Sequence, residues 1–162
     1  MVAMSRIPHR SKTWIRQLAA TAVLLGACHR TSSPRPPGPP VTIARTGAAR
    51  AKVIVVTGTV AVKETGPAAT VRSFGEVYAF IPQTIIVRRD EPTQIVFWNL
   101  QPDDEHDVML TDPRNQVLLT TKLPPLTKTN FVMTFHETGL FPFYCVVHQP
   151  SMSGQILVIE PR

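Results

Sequence analysis

The sequence predicts an all-β fold, an antiparallel sandwich or barrel of about eight strands, over residues 53–162. Sixteen prolines against eight glycines do not suit a mainly helical protein. Short runs of Val, Ile, Thr and Phe alternate with turn residues after residue 50, which is typical of strands. No stretch shows apolar residues repeating every 3.6 residues. With 162 residues, the chain has room for one domain of ordinary size and a tail.

The formal net charge of +6 belongs to the N-terminal region and not to the predicted domain. Residues 1–52 contain nine of the 17 Lys and Arg residues and no acidic residue. Residues 53–162 contain the other eight and all 11 acidic residues. The predicted domain is therefore acidic, and nucleic acid is not an expected partner.

Residues 1–27 have the pattern of a secretory signal peptide, with Met1 or Met4 as the start. A basic stretch ends at Gln17, and an uncharged apolar run follows over residues 18–27. This run is too short to cross a bilayer as a helix, which needs about 20 residues. We therefore expect export from the cytoplasm.

The segment from Leu25 to Cys28, with the sequence LGAC, resembles the bacterial lipobox. In that motif the cysteine becomes the lipidated first residue of the mature protein. The resemblance implies that Cys28 anchors the protein on the periplasmic or cell-surface side of a bacterial membrane. Two or more acyl chains would hold the protein there stably, as one chain would not. A plain signal peptide with a chance cysteine is the alternative. A disulfide between Cys28 and Cys145 is not expected, because it would join the leader boundary to the domain core.

Residues 28–52 predict a proline-rich linker between the anchor and the domain. Five prolines cluster between Pro34 and Pro40, and such a composition favours an extended polyproline II spacer. A proline-rich recognition motif is the alternative interpretation.

The predicted domain, residues 53–162, divides into nine candidate strands. Breakers such as Gly66-Pro67, Asp112-Pro113 and Pro124-Pro125 separate them. The candidate strands are Val53–Val62, Val77–Phe80, Thr84–Arg89, Gln94–Asn99, His106–Thr111, Gln116–Thr120, Thr129–Phe135, Leu140–Val147 and Gly154–Ile159.

A thiol, an imidazole and a thioether stand within eight residues of one another near the C-terminus, at Cys145, His148 and Met152. Thiolate and thioether are soft ligands that suit Cu(I), and imidazole suits copper in both oxidation states. A strand leading into a turn would place all three at one end of a sandwich. A trigonal site with two histidines needs one more, and His106 is the best candidate because it follows a loop and opens an apolar run.

The segments EHDVML, at His106, and FYCVVHQPSMSGQILV, at Cys145, resemble the cupredoxins, the blue copper proteins of the plastocyanin, amicyanin and azurin group. The resemblance covers roughly residues 53–162 and implies a Greek-key sandwich with one type 1 copper. It implies His106, Cys145 and His148 as equatorial ligands and Met152 as the weak axial ligand. The short gap between Cys145 and His148 is similar to that of plastocyanin or amicyanin.

The resemblance further implies a monomeric carrier of single electrons between redox partner proteins, and not an enzyme. The electron would leave through the exposed edge of His148 or His106. A copper-storage or delivery protein of the cell envelope without redox turnover is the alternative. The domain lacks the extra histidines of a multicopper oxidase or a nitrite reductase, and a dinuclear copper centre needs a second cysteine in the loop.

A few other residues have competing interpretations. His136 is expected to be a surface turn residue, and Met109 is expected to pack in the core. The acidic run at residues 103–105 is either a docking patch for a cationic partner or a solvated loop. Asn99 or Asp107 is expected to form hydrogen bonds beside the metal site.

Overall fold

The computed structural model describes residues 38–162. The expected signal peptide, the lipidation site at Cys28 and the first part of the linker lie outside these residues. Within them, none of the helical structure is long and apolar enough to cross a membrane.

The described residues form ten strands and one short helix. The elements are β1 (Val41–Ala44), β2 (Ala51–Ala61), α1 (Ala68–Phe74), β3 (Val77–Ile81), β4 (Thr84–Arg88), β5 (Thr93–Trp98), β6 (His106–Thr111), β7 (Val117–Leu123), β8 (Lys128–Phe135), β9 (Gly139–Tyr144) and β10 (Ser153–Ile159).

Two five-stranded sheets share one core, one with the order β1-β8-β5-β2-β3 and the other with the order β4-β10-β9-β6-β7. Both sheets are mixed, because β2 pairs parallel with β5 and β4 pairs parallel with β10. The expectation of a purely antiparallel sandwich is wrong for these two pairs. Each joins strands that are distant in sequence, and such a crossover permits parallel pairing.

All nine candidate strands are present, with bounds that differ by a few residues at most. The largest differences, of three residues, are at the ends of β7 and β9. Strand β7 was expected to end at residue 120 and continues to Leu123, whereas β9 was expected to reach residue 147 and ends at Tyr144, before the turn that contains His148. The tenth strand, β1, lies inside the expected linker: residues 41–44 pair with β8, so the folded region begins before residue 53. Helix α1 was not expected, and it has no buried residue, so its sequence carries no apolar stripe.

One end of β9 and the first residues of β6 and β10 meet at the same end of the sandwich, which we call the loop edge. Strand β9 ends at Tyr144, whereas β6 begins at His106 and β10 begins at Ser153. These three strands are neighbours in one sheet, and β9 is antiparallel to both of the others. The loops before β6 and after β9 therefore lie side by side, although about 40 residues separate them in sequence.

A cluster of aromatic rings packs in the core near the loop edge. The rings of Phe80, Phe97 and Phe143 lie with centroids 5.4 to 6.0 Å apart, and all three side chains are buried. Gly154 lets β10 approach this cluster, because a Cβ there would lie 2.6 Å from the carbonyl oxygen of Gln83 and collide with the Phe143 ring. Strands β9 and β10 therefore meet over a close-packed part of the core.

Candidate metal centre

Three side chains with metal-ligating atoms converge at the loop edge: His106, Cys145 and His148. The two histidine Nδ1 atoms are 3.1 Å apart, and Cys145 Sγ is 3.4 Å from His148 Nδ1. All the potential ligand atoms of the group lie within 4.8 Å of one another. The structure thus brings together the three residues that the sequence analysis proposed as equatorial ligands.

The loop after β9 is held in a tight turn by its own backbone. The N–H of Cys145 donates to the carbonyl of Met152 at 2.9 Å, and the N–H of Met152 donates to the carbonyl of His148 at 3.0 Å. Cys145 and Met152 are fully buried, and His148 is half-buried. The turn therefore keeps the expected axial residue next to the expected equatorial pair along the backbone.

Burial disfavours the charged forms of the His106 and Cys145 side chains when no metal is bound. His106 is 1% exposed, and burial, together with the proximity of His148, lowers its pKa from 6.5 to about 4. Burial likewise raises the pKa of the Cys145 thiol. A neutral imidazole is ready to ligate a metal, whereas the thiol loses its proton only when a cation offsets the cost of the buried thiolate.

Asp107 links the two segments that carry the histidine and the cysteine. Its Oδ1 accepts a hydrogen bond from the backbone N–H of Val146 at 2.6 Å. Because Asp107 follows His106 and Val146 follows Cys145, this bond joins the residues next to two candidate ligands. The expectation of a hydrogen bond from Asp107 beside the site agrees with this geometry.

Asn99 organises the loop that leads to His106. Its Nδ2 donates to the carbonyls of Asp104 at 2.7 Å and Leu123 at 2.9 Å. Its Oδ1 accepts from the hydroxyl of Thr57 at 3.1 Å and from a loop N–H at residue 101 at 3.0 Å. The buried amide is thus fully bonded, and it fixes the loop without touching the candidate ligands.

Tyr78 is a site residue that the sequence analysis missed. Its buried ring contacts the rings of both His106 and His148, and its hydroxyl donates to the carboxylate of Asp104. Burial, followed by the neighbouring carboxylate, raises the pKa of Tyr78 well above its ordinary value. The alternation of β3 indicates that Tyr78 points inward, but a contact between the two sheets has no signal in the sequence.

Two of the three acidic side chains at residues 103–105 form a hydrogen bond or an ion pair with another side chain of the protein. Asp104 accepts from Tyr78, and Glu105 forms a 2.7 Å ion pair with Lys122. Neither alternative from the sequence, a docking patch or a solvated loop, anticipated the structural role of Asp104.

His136 and Met109 lie away from the converging donors. His136 is an exposed residue after β8, as expected, and bonds Asp90 at 2.8 Å and Thr42 at 2.9 Å. Met109 is half-buried and its sulfur accepts from the Tyr144 hydroxyl at 3.2 Å. The expectation of core packing for Met109 is wrong, because in β6 the alternate residues, starting with His106, are the buried ones.

The donor set fits a copper ion of the type 1 class. Two imidazoles and a thiolate in a trigonal group, with a thioether as a weak fourth ligand, are the ligands of blue copper sites. The thioether of Met152 is a soft donor that suits copper better than harder ions. Nδ1 of His106 faces Nδ1 of His148 at 3.1 Å, whereas Nε2 of His106 is buried with no hydrogen-bond partner in the structure.

Solved structures with a similar fold include copper proteins. A multicopper oxidase from Campylobacter jejuni matches 72% of this chain at 8% identity with a TM-score of 0.52, and the match covers 31% of the oxidase. Auracyanin A, a blue copper protein from Chloroflexus aurantiacus, matches 67% of this chain and 98% of its own at 12% identity, with a TM-score of 0.48. Amicyanin from Paracoccus versutus matches 74% and 98% at 14% identity, with a TM-score of 0.46.

The chain has a cupredoxin-like fold, as the two sequence segments predicted. The described residues contain ten strands where about eight were expected. At these identities the likeness concerns the fold alone. No protein-family model and no curated protein matches the sequence.

Proposed function

We propose that this protein is a mononuclear type 1 copper protein that carries single electrons between redox partners. The convergence of His106, Cys145 and His148, with three ligand atoms of the required types within 4.8 Å of one another, is the observation that carries the proposal. A bound copper supplies a one-electron couple between Cu(II) and Cu(I). Met152 serves as the weak axial ligand.

Rigidity of the site supports electron transfer over storage. Cu(I) and Cu(II) prefer different geometries, so a scaffold that holds the ligands still reduces the rearrangement on each transfer. His106 and Cys145 are anchored by strand ends, and the Asp107 bond to Val146 ties their neighbours together. A storage protein gains nothing from such rigidity, because it must take up and release the ion.

His148 provides the route for the electron to leave the domain. It is half-buried, and the two residues before it, Val146 and Val147, expose their apolar side chains, with Val147 71% exposed. An electron-transfer encounter buries little area, often below about 1,200 Å², and dissociates quickly. A small apolar surface next to a ligand edge suits such an encounter with a redox partner protein.

The sequence further supports a lipid anchor at Cys28. The LGAC segment, preceded by a basic region and a short apolar run, is the basis for this part of the proposal. The anchored domain would then work outside the cytoplasm, on the periplasmic or cell-surface side of a bacterial membrane.

A copper titration tests the proposal. The full chain, loaded with Cu(II), is expected to bind one ion and to show intense visible absorption from thiolate-to-copper charge transfer. The Cys145→Ser variant removes the thiolate and is expected to lose the colour and most of the affinity. Colourless wild-type protein with one tightly bound copper would contradict the type 1 assignment.

Replacing the axial residue separates electron transfer from storage. Leucine has nearly the volume of methionine, so Met152→Leu is expected to keep the copper bound and to raise the reduction potential, because loss of a donor favours the lower charge of Cu(I). Storage is supported instead if Met152→Leu loses copper as completely as Cys145→Ser and the wild type shows no reversible one-electron wave.

A further inference from the structure

Tyr78 occupies a position where it contacts both histidines of the candidate centre. The centroid of its ring lies 4.8 Å from the imidazole of His106 and 4.8 Å from that of His148, with interplanar angles of 66° and 62°. The two imidazoles are also 4.8 Å apart, at 69°. The three rings therefore form a triangle with equal sides and edge-to-face contacts, which we call the ring triangle.

The ring triangle joins three separate parts of the fold. Tyr78 belongs to β3, in the sheet opposite to the one in which β6 begins with His106. His148 belongs to the loop after β9. One side chain thus contacts two candidate ligands from two separate segments, and it does so across the sandwich.

The hydroxyl of Tyr78 is anchored to the segment that leads into His106. It donates to the carboxylate of Asp104, and the carbonyl of Asp104 accepts from Asn99 at 2.7 Å. Asp104 precedes His106 by two residues, so the anchor and the ring act on the same ligand. The ring has little freedom to rotate or shift, because its face is packed and its hydroxyl is bonded.

Tyr78 also lines a polar cavity. The cavity has a volume of about 410 Å³, and its lining includes Tyr78, Asp103, Asp104, Glu64 and Glu76. His106 contacts Tyr78 and is 1% exposed, but it is not among the residues that line the cavity. Tyr78 thus contacts both the acidic cavity and the buried imidazole, whereas the imidazole itself does not line the cavity.

We propose that Tyr78 is a positioning residue of the metal centre, which fixes the angle between the His106 and His148 imidazoles and keeps the water of the adjacent cavity away from His106. This inference rests on the proposed copper function for its redox consequences. A smaller side chain at position 78 would extend the polar cavity to the His106 imidazole. Water and carboxylates near the ion favour the more highly charged Cu(II), so the reduction potential would fall.

Phe80 provides a matched control for the effect of losing a buried ring. It lies two residues along β3, faces the same core and is fully buried. Its ring packs against Phe97 and Phe143, and neither contact involves a candidate ligand. Phe80→Leu and Tyr78→Leu are both expected to lower the stability of the fold to a similar extent.

The redox experiment compares the full chain, loaded with copper, as wild type, Tyr78→Leu, Tyr78→Phe and Phe80→Leu. Tyr78→Leu is expected to shift the equilibrium toward Cu(II) about tenfold, or about 59 mV for a one-electron couple, and to change the electron paramagnetic resonance spectrum. Phe80→Leu is expected to change both by much less than Tyr78→Leu. Tyr78→Phe keeps the ring, so its shift should be smaller than that of Tyr78→Leu.

A second readout needs no copper. In the metal-free full chain, the rate at which diethyl pyrocarbonate modifies His106, followed by mass spectrometry of peptides, reports access of solvent to the imidazole. Tyr78→Leu is expected to raise this rate at least about tenfold, and Phe80→Leu by less than about twofold. Of these two rings, only that of Tyr78 contacts the His106 imidazole, so only its loss should open that imidazole to solvent.

The two readouts separate the failure of this inference from the failure of the proposed function. If wild-type protein lacks the thiolate-to-copper absorption, the function fails, and the modification rates of His106 still decide the role of Tyr78. If Tyr78→Leu and Phe80→Leu change the modification rate equally, or if Tyr78→Phe shifts the potential as much as Tyr78→Leu, the positioning role of the ring is overturned.

Discussion

The carboxylate of Asp107 accepts a hydrogen bond from the backbone N–H of Val146, with 2.6 Å between oxygen and nitrogen. This bond spans 39 residues of sequence and connects the residue after His106 with the residue after Cys145. It places a negative charge beside the point where a thiolate and a metal ion would meet. The bond therefore affects both the shape of the candidate centre and its electrostatics.

We predict that Asp107→Asn raises the reduction potential of the copper-loaded protein. Asparagine keeps an oxygen that accepts from Val146, but it removes a negative charge that favours Cu(II). Voltammetry of the wild type and the variant measures the difference. Asp107→Ala, which also removes the acceptor, should in addition destabilise the fold by about 1 kcal/mol. An unchanged or lower potential in Asp107→Asn would contradict the electrostatic role.

Asn99 is expected to contribute strongly to the stability of the fold, because its side chain forms four hydrogen bonds. Asn99→Ala leaves the buried carbonyl of Leu123 and the hydroxyl of Thr57 without their partner, so we expect a loss of at least about 2 kcal/mol in the free energy of unfolding. Asn130, which donates one exposed hydrogen bond to the carbonyl of Arg45, is the control. Equal losses from Asn99→Ala and Asn130→Ala in denaturant titrations would show that the loop network is unimportant.

The stability of the copper-free protein should depend on pH through His106. Its folded-state pKa is lowered from 6.5 to about 4 by burial, so the unfolded chain binds the proton more readily. The contribution of the neutral imidazole is complete above pH 6.5 and is lost as the pH falls toward 4. As the pH is lowered from 6.5 to about 4, the measured free energy of unfolding should decrease for the wild type and decrease less for His106→Gln. Parallel curves for the two proteins would rule out this origin of the pH dependence.

Cys28→Ser is expected to change where the protein resides without changing its copper spectrum. The substitution removes the proposed lipidation site, whereas all the candidate ligands lie in the described domain. Fractionation of bacterial cells and mass spectrometry of the mature N-terminus measure the effect. Wild-type protein that is recovered without acyl chains and begins at another residue would refute the anchor.

The regular part of the fold could be predicted from the sequence because its signals are local. The run of alternating residues at β6 and the proline breakers around it set the bounds of that strand correctly. The short β1 segment, VTIA, was missed because four residues after a proline cluster look like linker, and only pairing with β8 makes them a strand. The parallel pairs were missed for the same reason, since pairing partners far apart in sequence leave no local pattern.

The candidate ligands were found because three of them share one short loop. Cys145, His148 and Met152 are close in sequence, and the chemistry of their side chains suggested a fourth residue, His106. Tyr78 carries no such chemistry and lies on the other sheet, so its contact with both imidazoles depends on how the sheets pack. Residue chemistry thus indicated the ligands, and only the tertiary structure shows what surrounds them.

The most direct test of the account is a spectroelectrochemical titration of the copper-loaded full chain. We expect the visible thiolate-to-copper absorption to disappear on reduction and to return on oxidation, with one electron transferred per copper over repeated cycles. Cys145 and the two histidines then hold one redox-active ion throughout. A chain that binds one copper but shows no such absorption, or that releases the ion on reduction, would contradict the proposed role as an electron carrier.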